Sequence, residues 1–216
     1  MVGHIQGFNI MKKIIPIILF QILCVSHLCN AQEMSINHNF WLYAGVGMSS
    51  YFNNSGITMI DVPMDRYSGS YMTANIGWRC LALDMYISNI NMRYDKSLQE
   101  SNTTGGVGVV SYLPVWKREN HLSWDYLICI GILFADSRIY YDRIQFPTIE
   151  RYGIYEKFGI SLEYEFCSKF SVGILSSLCF GNLKDKDLPK EIIAYQSNHT
   201  NSISNYSGAL IFKAKF

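Results

Sequence analysis

A chain of 216 residues with a net charge of +1 carries only 16% charged residues but 14% aromatic ones, among them 15 Tyr and 12 Phe. That length suits one domain, and soluble domains carry about a quarter charged residues, so part of this surface is expected to face something other than water. No basic excess or stripe is present to neutralise phosphates, which argues against nucleic acid as a partner.

The first element in chain order is a targeting segment. Lys12 and Lys13 precede the apolar run Ile14-Ile15-Pro16-Ile17-Ile18-Leu19-Phe20, and Cys29-Asn30-Ala31 brings small residues to a cleavage point after Ala31. The run is too short to cross a bilayer, for which about 20 apolar residues are needed. It reads as a secretory signal peptide rather than an anchor. Residues 1–10 precede the charged region, which makes Met11 an alternative start. The chain thus divides into an extension with signal peptide, 1–31, and a mature domain, 32–216. Cys80, Cys129, Cys167 and Cys179 remain in the mature part. Their spacings match no zinc pattern, and buried small hydrophobes is the default reading. No metal and no other cofactor is expected.

The mature chain alternates with period two, as a strand does when its faces meet different surroundings. The first predicted strand, about 39–51, sets Phe40, Leu42, Ala44, Val46 and Met48 against Trp41, Tyr43, Gly45, Gly47 and Ser49. The second, about 70–79, has Met72, Ala74, Ile76 and Trp78 on its apolar face. The third, about 81–94, sets Leu81, Leu83, Met85 and Ile87 opposite Ala82, Asp84, Tyr86 and Ser88. The fourth, about 104–116, is apolar on both faces, so its phase stays open. The fifth, about 121–135, aligns Leu122, Trp124, Tyr126, Ile128, Ile130, Ile132 and Phe134. The sixth, about 152–166, is the clearest: Tyr152, Ile154, Phe158, Ile160, Leu162, Tyr164 and Phe166 share one face, broken only by Glu156. The seventh, about 169–180, and the eighth, about 203–216, alternate likewise, the last through Leu210, Phe212, Ala214 and Phe216.

The connections alternate as well. About 18 residues join strands one and two, but only Arg79-Cys80 joins two and three. Segments 95–103, 136–150 and 181–202 are long, whereas 117–120 and Cys167-Ser168 are short. An even number of strands with short turns at one end and long loops at the other is the pattern of a membrane-spanning meander. Trp78, Trp124, Tyr126, Tyr164 and Phe166 fall near the short-turn ends, where an interfacial girdle belongs.

Alternation alone fits a soluble lipocalin-like barrel too, with the apolar face inside. The small residues decide against it. Gly45, Gly47 and Ser49, or Ser171, Gly173 and Ser177, weaken a strand and offer water little. They suit the crowded interior of eight strands. The apolar face is therefore expected to point at lipid, with Glu156 the exception that clears the hydrocarbon or betrays a wrong register.

The signal peptide, the loop rhythm and the ending Leu210-Ile211-Phe212-Lys213-Ala214-Lys215-Phe216 resemble the OmpA/OmpX-type outer-membrane β-barrels over residues 39–216. The resemblance implies an all-β, eight-stranded antiparallel up-and-down barrel, integral to the outer membrane of a Gram-negative cell envelope. Both termini would be periplasmic. It also implies that Phe216, with Phe212 on the same face, is read by the barrel-assembly machinery. The glycine usual a few residues before the terminal aromatic is missing, since Gly208 lies further back.

Several charged residues fall on the interior face: Asp84, Asp125, Lys157, Glu163, Glu165, Lys213 and Lys215. Enclosed charges must pair or find hydrogen bonds. A lumenal plug is the plainer reading, and an ion path the functional one. In the segment 136–150, Arg138, Tyr140, Tyr141 and Arg143 combine residue types frequent at contact surfaces, against the plainer reading of a loop facing water or lipopolysaccharide. An enzymatic alternative is a lipid A deacylase or acyltransferase. Tyr195-Gln196-Ser197-Asn198-His199 shares Ser-Asn with the deacylases, but Tyr195 stands where their His belongs. Only Glu191 lies near enough to orient a base there. The sequence thus points to a non-enzymatic, monomeric outer-membrane barrel with a structural or surface-interaction role, in contact with outer-membrane lipid and lipopolysaccharide.

Overall fold

The computed structural model describes residues 40–51, 66–93, 96–117, 121–142, 144–185 and 202–216. The expected signal peptide lies outside them. Nine strands follow in order: β1 (Phe40–Tyr51), β2 (Arg66–Trp78), β3 (Leu81–Arg93), β4 (Leu98–Lys117), β5 (Leu122–Tyr141), β6 (Ile144–Gln145), β7 (Ile149–Cys167), β8 (Phe170–Asp185) and β9 (Ser202–Lys215). Apart from β6, each pairs antiparallel with its neighbours in the chain, and β1 pairs with β9 from Trp41↔Lys215 to Tyr51↔Asn205. The sheet therefore closes on itself, which leaves no edge within the membrane. The two residues of β6 only extend β5, through Tyr140↔Gln145 and Tyr141↔Ile144. Eight staves form the barrel.

The alternation resolves as lipid-side outside. Met48, Leu210 and Trp78 are 70%, 65% and 63% exposed, whereas Asp84 and Ser88 are wholly buried. At about 25 cal/mol per Å2, this much exposed hydrocarbon would be untenable in water. Strand β4, ambiguous in sequence, turns Val107 outward and buries Val110 and Tyr112. At the short-turn end Trp78, Tyr126, Tyr164 and Phe166 are exposed, as a girdle requires, while Trp124 is half-buried. Phe170 stacks on Phe212 with ring centroids 5.6 Å apart, and Phe166 on Phe170 at 6.3 Å, continuing that belt.

Glycines on the inner face make room for rings that lie across the lumen. A Cβ at Gly77 would stand 2.2 Å from Trp41 Cζ2, and one at Gly106 2.3 Å from Tyr86 Cε1. Small and large residues alternate around the interior because they occupy the same space.

One expectation needs correcting at the long-loop end. Residues 98–103 and 136–141 are strand, not loop: β4 and β5 pair without a break from Leu98↔Tyr141 to Pro114↔Asp125. These stretches are polar on their outward face, so hydrophobic alternation fades although the backbone ladder continues. The register shifts between Pro114 and Trp116, where proline lacks the N–H the ladder needs. Of the cysteines, Cys129 and Cys179 are buried and free, as the default reading has it, whereas Cys167 is free but exposed at the end of β7 and Cys80 is half-buried in the turn after β2.

Glu156 is exposed on the outward face, so the register holds. It lies ten residues from Phe166 along tilted β7, a rise of about 25 Å, comparable to the apolar band of such barrels. Across the ladder it meets Phe180, beyond which Asn182 begins the polar end of β8. On its other side it meets Ile130 of β5, beyond which Ile132 and Phe134 continue the apolar outward face.

Candidate functional site

The inner faces of β3, β5 and β7 converge on one buried ion pair. Asp84 is on β3 and Lys157 on β7, strands that do not touch, so the pair spans the lumen. Lys157 Nζ is 2.5 Å from both Oδ1 and Oδ2 of Asp84. Tyr155 donates its hydroxyl to Asp84 Oδ2 at 2.9 Å, and the Cys129 thiol approaches the same oxygen at 3.6 Å. The Asn75 amide fits its neighbours in one orientation, donating to Asp84 Oδ1 at 3.0 Å and accepting from Tyr112 at 2.7 Å. The ammonium also lies 5.2 Å from the centre of the Tyr86 ring. A buried charge is tolerable only when so surrounded.

A second pair lies nearer the short turns. Lys213 on β9 donates to Glu163 Oε1 on β7 at 3.1 Å, and Ser171 Oγ on β8 donates to Oε2, also at 3.1 Å. Lys213 Nζ sits 4.6 Å from the Trp41 ring centre and 5.5 Å from that of Tyr112. Trp41 is anchored in turn by its Nε1, which donates to Arg79 O at 2.8 Å. Lys215 pairs with Glu165 at the rim, where both are partly exposed.

The expected charge network is therefore several stacked pairs rather than one. Asp84 and Lys157 form one, Glu163 and Lys213 another. Asp125 is half-buried on β5, opposite Ser161. Sequence reasoning missed Tyr155, Asn75 and Cys129 as partners of Asp84, and the ring stack that fills the rest. Tyr86 meets Tyr155 edge-on at 5.2 Å, and Trp41 meets Tyr112 edge-on at 5.0 Å. The usable signal was that Tyr43, Tyr71 and Tyr155 share the phase of the inner glycines of their strands, and Tyr86 that of Asp84 and Ser88. Among the described residues no three His, Cys, Asp or Glu converge as a metal site.

At the opposite end β3, β4 and β5 rise past the apolar band as a polar sheet. Arg138, Tyr140 and Tyr141 belong to β5 within this sheet, not to a loop. Arg138 and Tyr141 are exposed and Tyr140 is half-buried. Arg143 lies outside the described residues, as do Glu191, Tyr195, Ser197, Asn198 and His199. At the C-terminus Phe212 and Phe216 both face outward, and the Phe216 N–H donates to Phe40 O at 2.8 Å, tying the last residue to β1.

No protein-family model and no curated protein matches this sequence. Among solved structures, Neisserial surface protein A superposes with a TM-score of 0.50 at 7% identity, over 82% of this chain and 97% of its own. Ail, the attachment invasion locus protein of Yersinia pestis, follows at 0.46 and 9% identity, over 83% of this chain and 99% of its own. The N-terminal β-barrel domain of Pseudomonas aeruginosa OprF gives 0.41 and 12%, over 83% and 98%. In architecture the chain is similar to Neisserial surface protein A, and the likeness shows the fold, a small closed antiparallel β-barrel.

Proposed function

We propose that this outer-membrane barrel is a sealed, non-enzymatic scaffold whose task is to present its long-loop end to the outside. The observation that carries the reading is the Asp84–Lys157 pair, whose side chains are 0% and 2% exposed at the centre of the lumen. A conducting lumen needs a continuous wet path, and eight staves leave space for little beyond side chains. Here Trp41, Tyr43, Tyr86, Tyr112, Leu127 and Tyr155 are all buried in one interior cluster with the pair. The interior is spent on stability, and contact is left to the rim.

In this reading the protein is a monomer with both termini in the periplasm, on the side of the short turns. Phe216 is the residue handed to the assembly machinery, its ring outward and 6.0 Å from Phe40. Lipopolysaccharide and a further envelope or extracellular protein are its candidate contacts.

Planar-bilayer recording of the folded protein tests the sealed lumen. The expected record is free of stable conductance steps. Reproducible, ion-selective steps from the native protein would replace the scaffold reading with a channel.

A further inference from the structure

We infer that the outward face of the β3–β4–β5 ribbon is a binding surface for the acidic sugar headgroups of the glycolipid surrounding the barrel. The inference rests on the outer-membrane scaffold reading and names the chemistry of one of its partners. Three rows of side chains, set by strand register, build this face. Furthest from the membrane, Arg93, Gln99 and Tyr140 lie side by side, with Gln145 of β6 next to Tyr140. The middle row is Asn91, Ser101 and Arg138. In the lowest row Asn89 donates to Thr103 Oγ1 at 3.3 Å, and Thr103 adjoins Asp136.

Directly beneath, the same strands carry the row Ile87, Gly105 and Phe134, with Ile87 and Phe134 about half exposed to lipid. One continuous sheet face thus passes from hydrocarbon contact to amides, hydroxyls and guanidinium groups within a single rung. Whatever touches the upper rows is what lies immediately above the acyl chains. In the outer leaflet of such an envelope that is saccharide bearing phosphate and carboxylate.

The side chains fit that chemistry. Primary amides donate and accept together, as vicinal sugar hydroxyls require. Tyr140 offers an amphipathic ring, and the planar fork of Arg138 suits a phosphate or carboxylate held by two parallel hydrogen bonds. Asp136 and its cross-strand neighbour Glu150 occupy the level nearest the hydrocarbon. The anionic groups are therefore assigned to the rows above, where Arg138 stands exposed.

The test titrates the folded barrel in detergent with rough lipopolysaccharide, which keeps its phosphorylated core sugars, and separately with lipid A alone. The core-bearing glycolipid is expected to bind about tenfold more tightly. Arg138→Ala combined with Tyr140→Ala should abolish that advantage and leave lipid A binding unchanged. Arg138→Lys, which keeps the charge but not the fork, should reduce it. Lys184→Ala, on the outward end of β8, controls for lost charge and should preserve it. Equal affinity of the native protein for both glycolipids overturns the inference. So does displacement of the core-bearing glycolipid by soluble heparin at matched charge, which would assign the face to an extracellular polyanion. Insertion into phospholipid vesicles, read by heat-modifiable gel mobility, is measured in parallel. Failure to insert sinks the barrel scaffold and this inference together, whereas insertion without sugar discrimination sinks the inference alone.

Discussion

Lys157 and Asp84, 73 residues apart in sequence, meet across the lumen with the ammonium nitrogen 2.5 Å from each carboxylate oxygen. Neither has a comparable second counter-ion among the contacts described above, so each depends on the other for its charge to remain buried. Removing one should leave an uncompensated interior charge at a cost of about 3–5 kcal/mol, whereas replacing both with apolar groups of similar volume is far less costly. Urea unfolding in vesicles should therefore rank Lys157→Met as much less stable than the double variant Lys157→Met with Asp84→Leu. If the two variants unfolded together, the pair would not be the coupled unit described here.

The closeness of Gly77 to the Trp41 ring leaves no room for a side chain. Gly77→Val would force the indole from its place, breaking its hydrogen bond to Arg79 O and its packing under Lys213. A loss of about 1–3 kcal/mol is expected from overpacking of this kind. Trp41→Ala introduced alongside should restore part of it. An equal or greater loss in the double variant would show that the glycine matters for backbone reasons instead.

Glu156 lies on the outward face of β7, where the polar end of β8 begins two residues beyond its cross-strand neighbour Phe180. Near the interface a charge on the lipid face costs about 0–1 kcal/mol, and a carboxylate less than a lysine or arginine. Glu156→Leu should accordingly change unfolding stability by less than about 1 kcal/mol. Stabilisation well beyond that range would place the residue deep in hydrocarbon and shift the whole band along the barrel.

Trp78 and Trp41 report the two faces directly. Trp78 is exposed on the outward face of β2, and Trp41 is 4% exposed in the lumen. In variants that keep only one tryptophan, brominated lipid should quench Trp78 strongly and Trp41 weakly. Equal quenching would mean that the staves are not oriented as described.

Much of this barrel could be read from local pattern. Tyr152, Ile154, Phe158, Ile160, Leu162, Tyr164 and Phe166 recur at every second residue, and strand geometry turns that spacing into one face without help from the rest of the chain. The inner glycines then argue which face is enclosed. Strand ends were less legible: at 98–103 and 136–141 the ladder outlasts the apolar pattern, because backbone hydrogen bonds do not depend on which solvent the side chains meet.

The sequence by itself determined eight staves and the outward placement of the greasy side chains, since period and spacing are properties of neighbouring residues. It did not fix the lengths of the connections, for 94–97 between β3 and β4 is no longer than 118–121 between β4 and β5. Only the tertiary structure decided that Lys157 answers Asp84 while Lys213 answers Glu163. It alone decided the phase of β4, and that Arg138 and Tyr140 stand on a ribbon with Gln99 and Ser101. Those relationships arise when the sheet curls shut and brings distant strands to the same height. Closure and stagger are set by all the pairings at once, and no single segment contains them.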